Sequence, residues 1–212
     1  MSLPRPPIRP LLYALAALAS EPAVADGEAV LPPQELVYCT VCHGADLQGN
    51  SVLKAPRLSG LAPWYVERQL AAFSEGWRGT RDADASGIEM RPMAMALSAG
   101  QIGNAARYVA AASSPAPDNT VRGDSLRGRS LYASCGACHG AAGAGSESLG
   151  APSLLVQNDW YLLTQLENYR LGARGFHPAD VYGQQMRAAA ELLPDDEAIR
   201  DVVAYISTLQ RQ

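Results

Sequence analysis

The sequence predicts an all-α fold made of two tandem domains. Two observations predict it: an internal repeat at one constant spacing, and apolar residues that recur at helical intervals while period-two runs are nearly absent. An offset of 96 carries Cys39 to Cys135, His43 to His139, Pro56 to Pro152, Leu58 to Leu154, Trp64-Tyr65 to Trp160-Tyr161 and Gln69-Leu70 to Gln165-Leu166. The same offset carries Met90 to Met186 and Leu97 to Leu193, after which the register slips by one and Ile102 matches Ile199. So many matches in one register mark two copies of one folded unit. The copies are assigned to 26–112 and 123–212, joined by 113–122, whose serines and prolines in "SSPAPDN" read as an exposed linker.

The chain begins with a different kind of segment. Arg5 and Arg9 precede a short apolar run from Leu11 to Ala19, and Ala23-Val24-Ala25 offers small residues at a cleavage site. Residues 1–25 are therefore read as a secretory signal peptide, since roughly ten apolar residues are about half a bilayer span. The mature protein is expected in an oxidising, periplasm-like space, without stable membrane insertion.

Within each unit, "APWYVERQLAAF" and "NDWYLLTQLENY" place apolar residues on one helical face, as do "SAGQIGNAARYVAAA" and "PDDEAIRDVVAYISTL". Ser98 and Pro194 stand where the last helix of each unit would begin, and Asp195, Asp196 and Glu197 suit the positive end of a helix dipole. With 48% hydrophobic and 18% charged residues the chain of 212 is expected to be globular rather than disordered. A formal net charge of −4, with Lys54 the one lysine among the basic residues, makes nucleic acid a poor partner.

The chemistry is concentrated in "CTVCHG" and "CGACHG". A C-x-x-C pair serves as a disulfide, as half a zinc site, or, with His next in sequence, as the attachment point of a haem. Zinc shared between the pairs would need a far longer spacing than a zinc ribbon uses and would leave both histidines idle. A redox disulfide expects a βαβ context that is missing here. As a haem site every residue has a role: Cys39 and Cys42, and likewise Cys135 and Cys138, bond the vinyl groups, while His43 and His139 each ligate iron from one face. Two covalently attached haem c groups are the expected cofactors.

The opposite face needs a second ligand, and His, Lys or Met usually supply it. Met90, Met93 and Met95 are available in the first unit and Met186 alone in the second. Only Met90 shares the register of Met186, so Met90 and Met186 are the expected ligands, with Met93 as the alternative. His177 has Arg81 as its repeat counterpart, and is expected to be a surface loop residue.

Together, C-x-x-C-H-G in both halves, "APRLSG" and "APSLLV", "WYVERQL" and "WYLLTQL", and the methionine ahead of each last helix resemble the class I c-type cytochromes, in particular the dihaem cytochrome c4 family. The resemblance spans nearly all of the chain after residue 25. It implies short helices wrapped around one haem per domain, haem edges close together, and the carbonyls of Pro56 and Pro152 accepting hydrogen bonds from His43 and His139. Gly128 and Tyr132, with Tyr205, look like the family's contact between first and last helices. Pro32 and Leu36 replace the first two in the N-terminal unit, whose crossing is therefore expected to differ.

Iron held by His and Met leaves electron transfer as the expected function, not catalysis. The reading is a periplasmic dihaem carrier between a quinol-oxidising complex or dehydrogenase and a terminal oxidase, with redox proteins as partners. The alternatives are a cytochrome subunit of a sulfide- or alcohol-oxidising dehydrogenase complex and, behind it, a small dihaem enzyme such as a thiosulfate dehydrogenase.

Overall fold

The computed structural model describes Met1, residues 34–117 and residues 119–210. The signal peptide read over 1–25 and Pro32 lie outside the described residues. Among those described the chain is helical, and its only pairing outside helices is two isolated bridges, Asn50 with Ala55 and Ser146 with Ala151, again 96 apart.

The N-terminal half has a 3-10 turn at Gln34–Leu36, then α1 (Val37–His43), α2 (Pro63–Ser74), α3 (Ala85–Met95) and α4 (Ala99–Ala111). The C-terminal half has α5 (Ser125–Leu131), α6 (Ala133–His139), a 3-10 turn at Glu147–Leu149, α7 (Asp159–Arg170), α8 (Val181–Ala190) and α9 (Asp196–Leu209). Local chemistry sets the ends. Ser98 and Gln101 form a reciprocal capping box at α4. α9 begins one residue later than Pro194 suggests: the carboxylate of Asp195 accepts from the Ala198 amide at 2.7 Å.

α3 and α8, which carry Met90 and Met186, are not visible as helical patterns in the sequence. Their starts rest on Asp84 and Asp180, which accept from the amides of Gly87 and Gly183 at 3.2 and 2.9 Å. Pro92 sits inside α3, where it removes a donor and obscures the pattern.

The C-terminal half is built on the crossing of α5 and α9. A Cβ on Gly128 would lie 1.9 Å from the Asp201 carbonyl oxygen, so only glycine lets the backbones approach this closely. Tyr132 packs on Tyr205 with ring centroids 5.3 Å apart, and its hydroxyl donates to the Gly140 carbonyl at 2.9 Å. Asp201, almost fully buried, accepts from the Asp124 amide at 2.7 Å and from Arg127 at 3.0 Å. In the N-terminal half α4 packs chiefly on α2. Leu36 is fully buried with Ala105, Ala106 and Val109, smaller residues than the Val202, Val203 and Ile206 that follow Ile199 in the matching register.

The two halves meet across buried polar contacts. Asn158 accepts from the Arg57 amide at 2.8 Å and Gln157 donates to the Arg57 carbonyl at 3.0 Å. Arg78 donates to Gln69 at 2.7 Å and to Gln165 at 3.3 Å, and Arg174 donates to Gln165 at 2.6 Å and to Gln69 at 3.0 Å. Both pairs are related by the offset of 96, so the interface carries the repeat's own two-fold character. The connection over 113–122 is partly exposed, yet tied at both ends. Arg57 donates to the carbonyls of Ser114 and Pro115, and the buried Asp159 accepts from Thr120 and Val121.

His177 is half-buried: its ring stacks on Trp77 across the halves, with centroids 5.8 Å apart. The surface-loop expectation missed this partner because Trp77 belongs to the other half of the chain.

Gly128→Val is expected to reduce stability by about 2–3 kcal/mol, the usual cost of forcing volume into a packed crossing. Guanidinium unfolding of the haem-loaded protein, followed by circular dichroism, measures it. An unchanged midpoint would mean that α5 and α9 do not cross at this residue.

Candidate functional site

Each C-x-x-C-H run forms a short helix whose last residue is the histidine. Residues three and four apart share a helix face, so Cys39, Cys42 and His43 are presented together, as are Cys135, Cys138 and His139. Gly44 and Gly140 then turn the chain away at φ of 86° and 78°, a region that favours glycine. His43 and His139 are 6% and 5% exposed.

The proton on each ring is fixed by its partner. Nδ1 of His43 lies 2.6 Å from the Pro56 carbonyl oxygen, and Nδ1 of His139 lies 2.8 Å from that of Pro152. A carbonyl can only accept, so Nδ1 carries the hydrogen and Nε2 is left with a lone pair. Burial pushes both imidazoles below their usual range, against the opposing pull of the proline carbonyls, and so favours the neutral form that a metal requires. Burial also pushes the Cys39 and Cys135 thiols up, so neither is poised as a free thiolate nucleophile.

In the C-terminal half, Met186 on α8 completes the arrangement. Its Sδ lies 3.5 Å from Nε2 of His139. With the proton on Nδ1, neither atom has a hydrogen to give, so two lone pairs face each other, an arrangement suited to a cation. The surrounding cleft is walled by Leu154, Leu162, Leu166, Val202 and Ile206, with Cys135 and Cys138 at one side. Leu61, Tyr65, Arg68 and Gln69 of the N-terminal half also line it, so the cleft is completed by the other domain.

In the N-terminal half Met90 on α3 is partly buried and packs with Cys39, Leu58 and Tyr65 against the core. Met93 and Met95 are 51% and 54% exposed. The helix carrying all three thus turns only Met90 toward the side where Cys39 lies.

The residues fit a haem c in each half. The donor set is right, the described cleft is apolar, and the buried Nε atoms of Arg78 and Arg174 have no partner among the described residues, leaving donors for an anionic group at the interface. Among the described residues no three Cys, His, Asp or Glu side chains converge as a zinc site would need. The arginine and glutamine pairs are interface residues beside the cleft that motif reading did not single out. Their signal was present, since Arg78 and Arg174 obey the same offset as the cysteines.

Comparison with known proteins agrees. The sequence model of the family described as Cytochrome c matches residues 25–113 and 125–210. The chain is 34% identical over 186 residues to the thiosulfate dehydrogenase electron acceptor of Stutzerimonas stutzeri (strain A1501), covering 81% of this chain and 78% of that protein. Its fold matches cytochrome c4 of Acidithiobacillus ferrooxidans with a TM-score of 0.65 at 27% identity, over 80% of this chain and 97% of that one. It also matches thiosulfate dehydrogenase (TsdBA) from Marichromatium purpuratum with a TM-score of 0.64 at 29% identity, over 80% of this chain but only 36% of the other. Two C-x-x-C-H helices, two anchored imidazoles and these matches lead to one conclusion: the chain belongs to the cytochrome c family, as a dihaem protein of the cytochrome c4 type with two class I domains, each carrying a covalently attached haem c.

Proposed function

We propose that this cytochrome is a one-electron carrier of the periplasm that takes electrons from a dehydrogenase and delivers them toward a terminal oxidase, with thiosulfate dehydrogenase as its donor. The observation that carries the reading is Met186 Sδ facing His139 Nε2 inside an apolar cleft. Haem c supplies reversible one-electron chemistry, with a potential raised by thioether ligation. The chain's own part would be to ligate the iron, through Met90 and His43 in one half and Met186 and His139 in the other, which would leave it no position for substrate. The carbonyls of Pro56 and Pro152 orient the imidazoles, and the leucines and valines of the cleft exclude water, which limits reorganisation when charge changes. The protein is accordingly read as a carrier and not an enzyme.

The choice of donor is supported by the S. stutzeri relative, whose name is that of an acceptor for this dehydrogenase. A second reading, a fixed subunit of the dehydrogenase, draws on the M. purpuratum thiosulfate dehydrogenase, in which the part resembling this chain is about a third of the whole. The periplasm follows from the leader read at 1–25, and no helix of the described residues is long and apolar enough to cross a membrane.

The ligand assignment has a direct spectroscopic test. Met90→Ala should abolish the ferric Met-to-iron absorption of one haem of the two, while Met93→Ala and Met95→Ala leave it intact. Loss with Met93→Ala alone would transfer the role to Met93.

The donor is tested by rapid mixing. Ferric protein should stay ferric in thiosulfate alone and become reduced within a few turnovers once thiosulfate dehydrogenase is added. Reduction and thiosulfate consumption without the dehydrogenase would make the chain an enzyme; no reduction with it would remove thiosulfate dehydrogenase as donor.

A further inference from the structure

We propose that Arg68, a residue of the N-terminal half, tunes the haem of the C-terminal half: its charge, held at the mouth of that cleft, raises the potential of that haem and not of the other. The inference rests on the two-haem, Met-ligated reading above.

Arg68 leaves α2 and crosses to the other domain. Its guanidinium lies 4.7 Å from the Trp64 ring centroid and 4.4 Å from that of Tyr182, and it donates to the Gly150 carbonyl at 2.5 Å. Gly150, at φ 65°, is the cradle for this contact. A Cβ there would lie 2.3 Å from the Tyr182 ring and 2.8 Å from Arg68 Nη1. Arg68 is half-buried, and no carboxylate of the described residues pairs with it. Both Arg68 and Tyr182 line the cleft that holds His139 and Met186.

The repeat supplies the control. Besides the histidine, the charged residues lining this cleft are Arg68, Arg174 and Asp180. At the offset of 96, Arg174 and Asp180 match Arg78 and Asp84, so their charges are present in both halves. Arg68 matches Thr164, and the cleft residue Gln185 matches Glu89. The cation of Arg68 therefore has no counterpart at its own repeat position. The N-terminal half has cations of its own, the exposed Lys54 at the counterpart of Gly150 and the buried Arg57 at that of Ser153, and the exposed Glu89 opposes them. Reduction removes one positive charge from a cleft, and a cation in a partly desolvated place favours that change more than the same cation in water. The aromatic rings hold the guanidinium in place without neutralising it.

The experiment is a spectroelectrochemical titration of the full haem-loaded protein, comparing parent, Arg68→Met and Arg68→Lys. Each is also made with Met186→His, which labels the C-terminal haem by lowering its potential. Arg68→Met should lower the C-terminal haem's potential and leave the N-terminal one in place. Arg68→Lys, which keeps the charge, should leave the C-terminal haem close to its parent potential. Placing a cation at the matching position, Thr164→Arg, should raise the other wave. Equal shifts of both haems, no shift, or a lysine variant as impaired as the methionine one would overturn the proposal and leave Arg68 a structural clamp. If Met186→His moves neither wave, the ligand reading fails separately; Arg68→Met lowering one wave alone would still support this role, and lowering both would still overturn it.

Discussion

The bond from each buried imidazole to a proline carbonyl 13 residues further on is the constraint on which the rest depends. It joins the end of the cysteine helix to the loop that follows, fixes the tautomer, and aims Nε2 across the cleft. The loops are shaped to deliver it. Gly49 N donates to the His43 carbonyl, Gly145 N to the His139 carbonyl, and the bridges Asn50 to Ala55 and Ser146 to Ala151 close each turn just before the proline. A charge-neutral hydrogen bond contributes only about 1 kcal/mol to net stability, so its importance is geometric. Without it the imidazole could rotate, and the facing methionine would have no fixed counterpart.

Holding two such units together raises a different problem. Arg78 and Arg174 are 4% and 3% exposed, and each spends its guanidinium on neutral glutamine oxygens shared with the other. Buried charges normally demand opposite charges. Here stacking contributes, since Arg78 lies 4.2 Å from the Phe73 ring centroid and Arg174 lies 4.4 Å from that of Tyr169. Asn168 meanwhile donates to Asp84 across the same surface at 3.1 Å. The partnerless Nε atoms show that the protein alone does not complete the network. The interface thus combines a network of shared polar groups, with donors left over for an anionic group, and the apolar packing of Val156 on the N-terminal core.

Duplication did not produce equal halves. Gly128 lets α5 lie against the backbone of α9, whereas Leu36 with smaller alanines on α4 fills the corresponding space in the N-terminal half. Arg68 and Tyr182 likewise have Thr164 and Ser86 as counterparts, so the clamp over one cleft has no equal over the other. Differences of this kind give the two attachment sites unlike surroundings within one fold.

The amino-acid sequence by itself determined the all-α class, the two units, the attachment motifs, the helical patterns of α2, α4, α7 and α9 and the start of α4 at Ser98, because covalent chemistry and local hydrogen bonding depend on neighbours along the chain. The contiguous motif C-x-x-C-H and the offset of 96 need no folding to be read. Only the tertiary structure decided that Met90 turns inward while Met93 and Met95 face out, that His177 stacks on Trp77, and that Arg68 reaches the other half's cleft. These depend on helix orientation and on contacts such as the one 82 residues apart between Arg68 and Gly150, which no local pattern encodes.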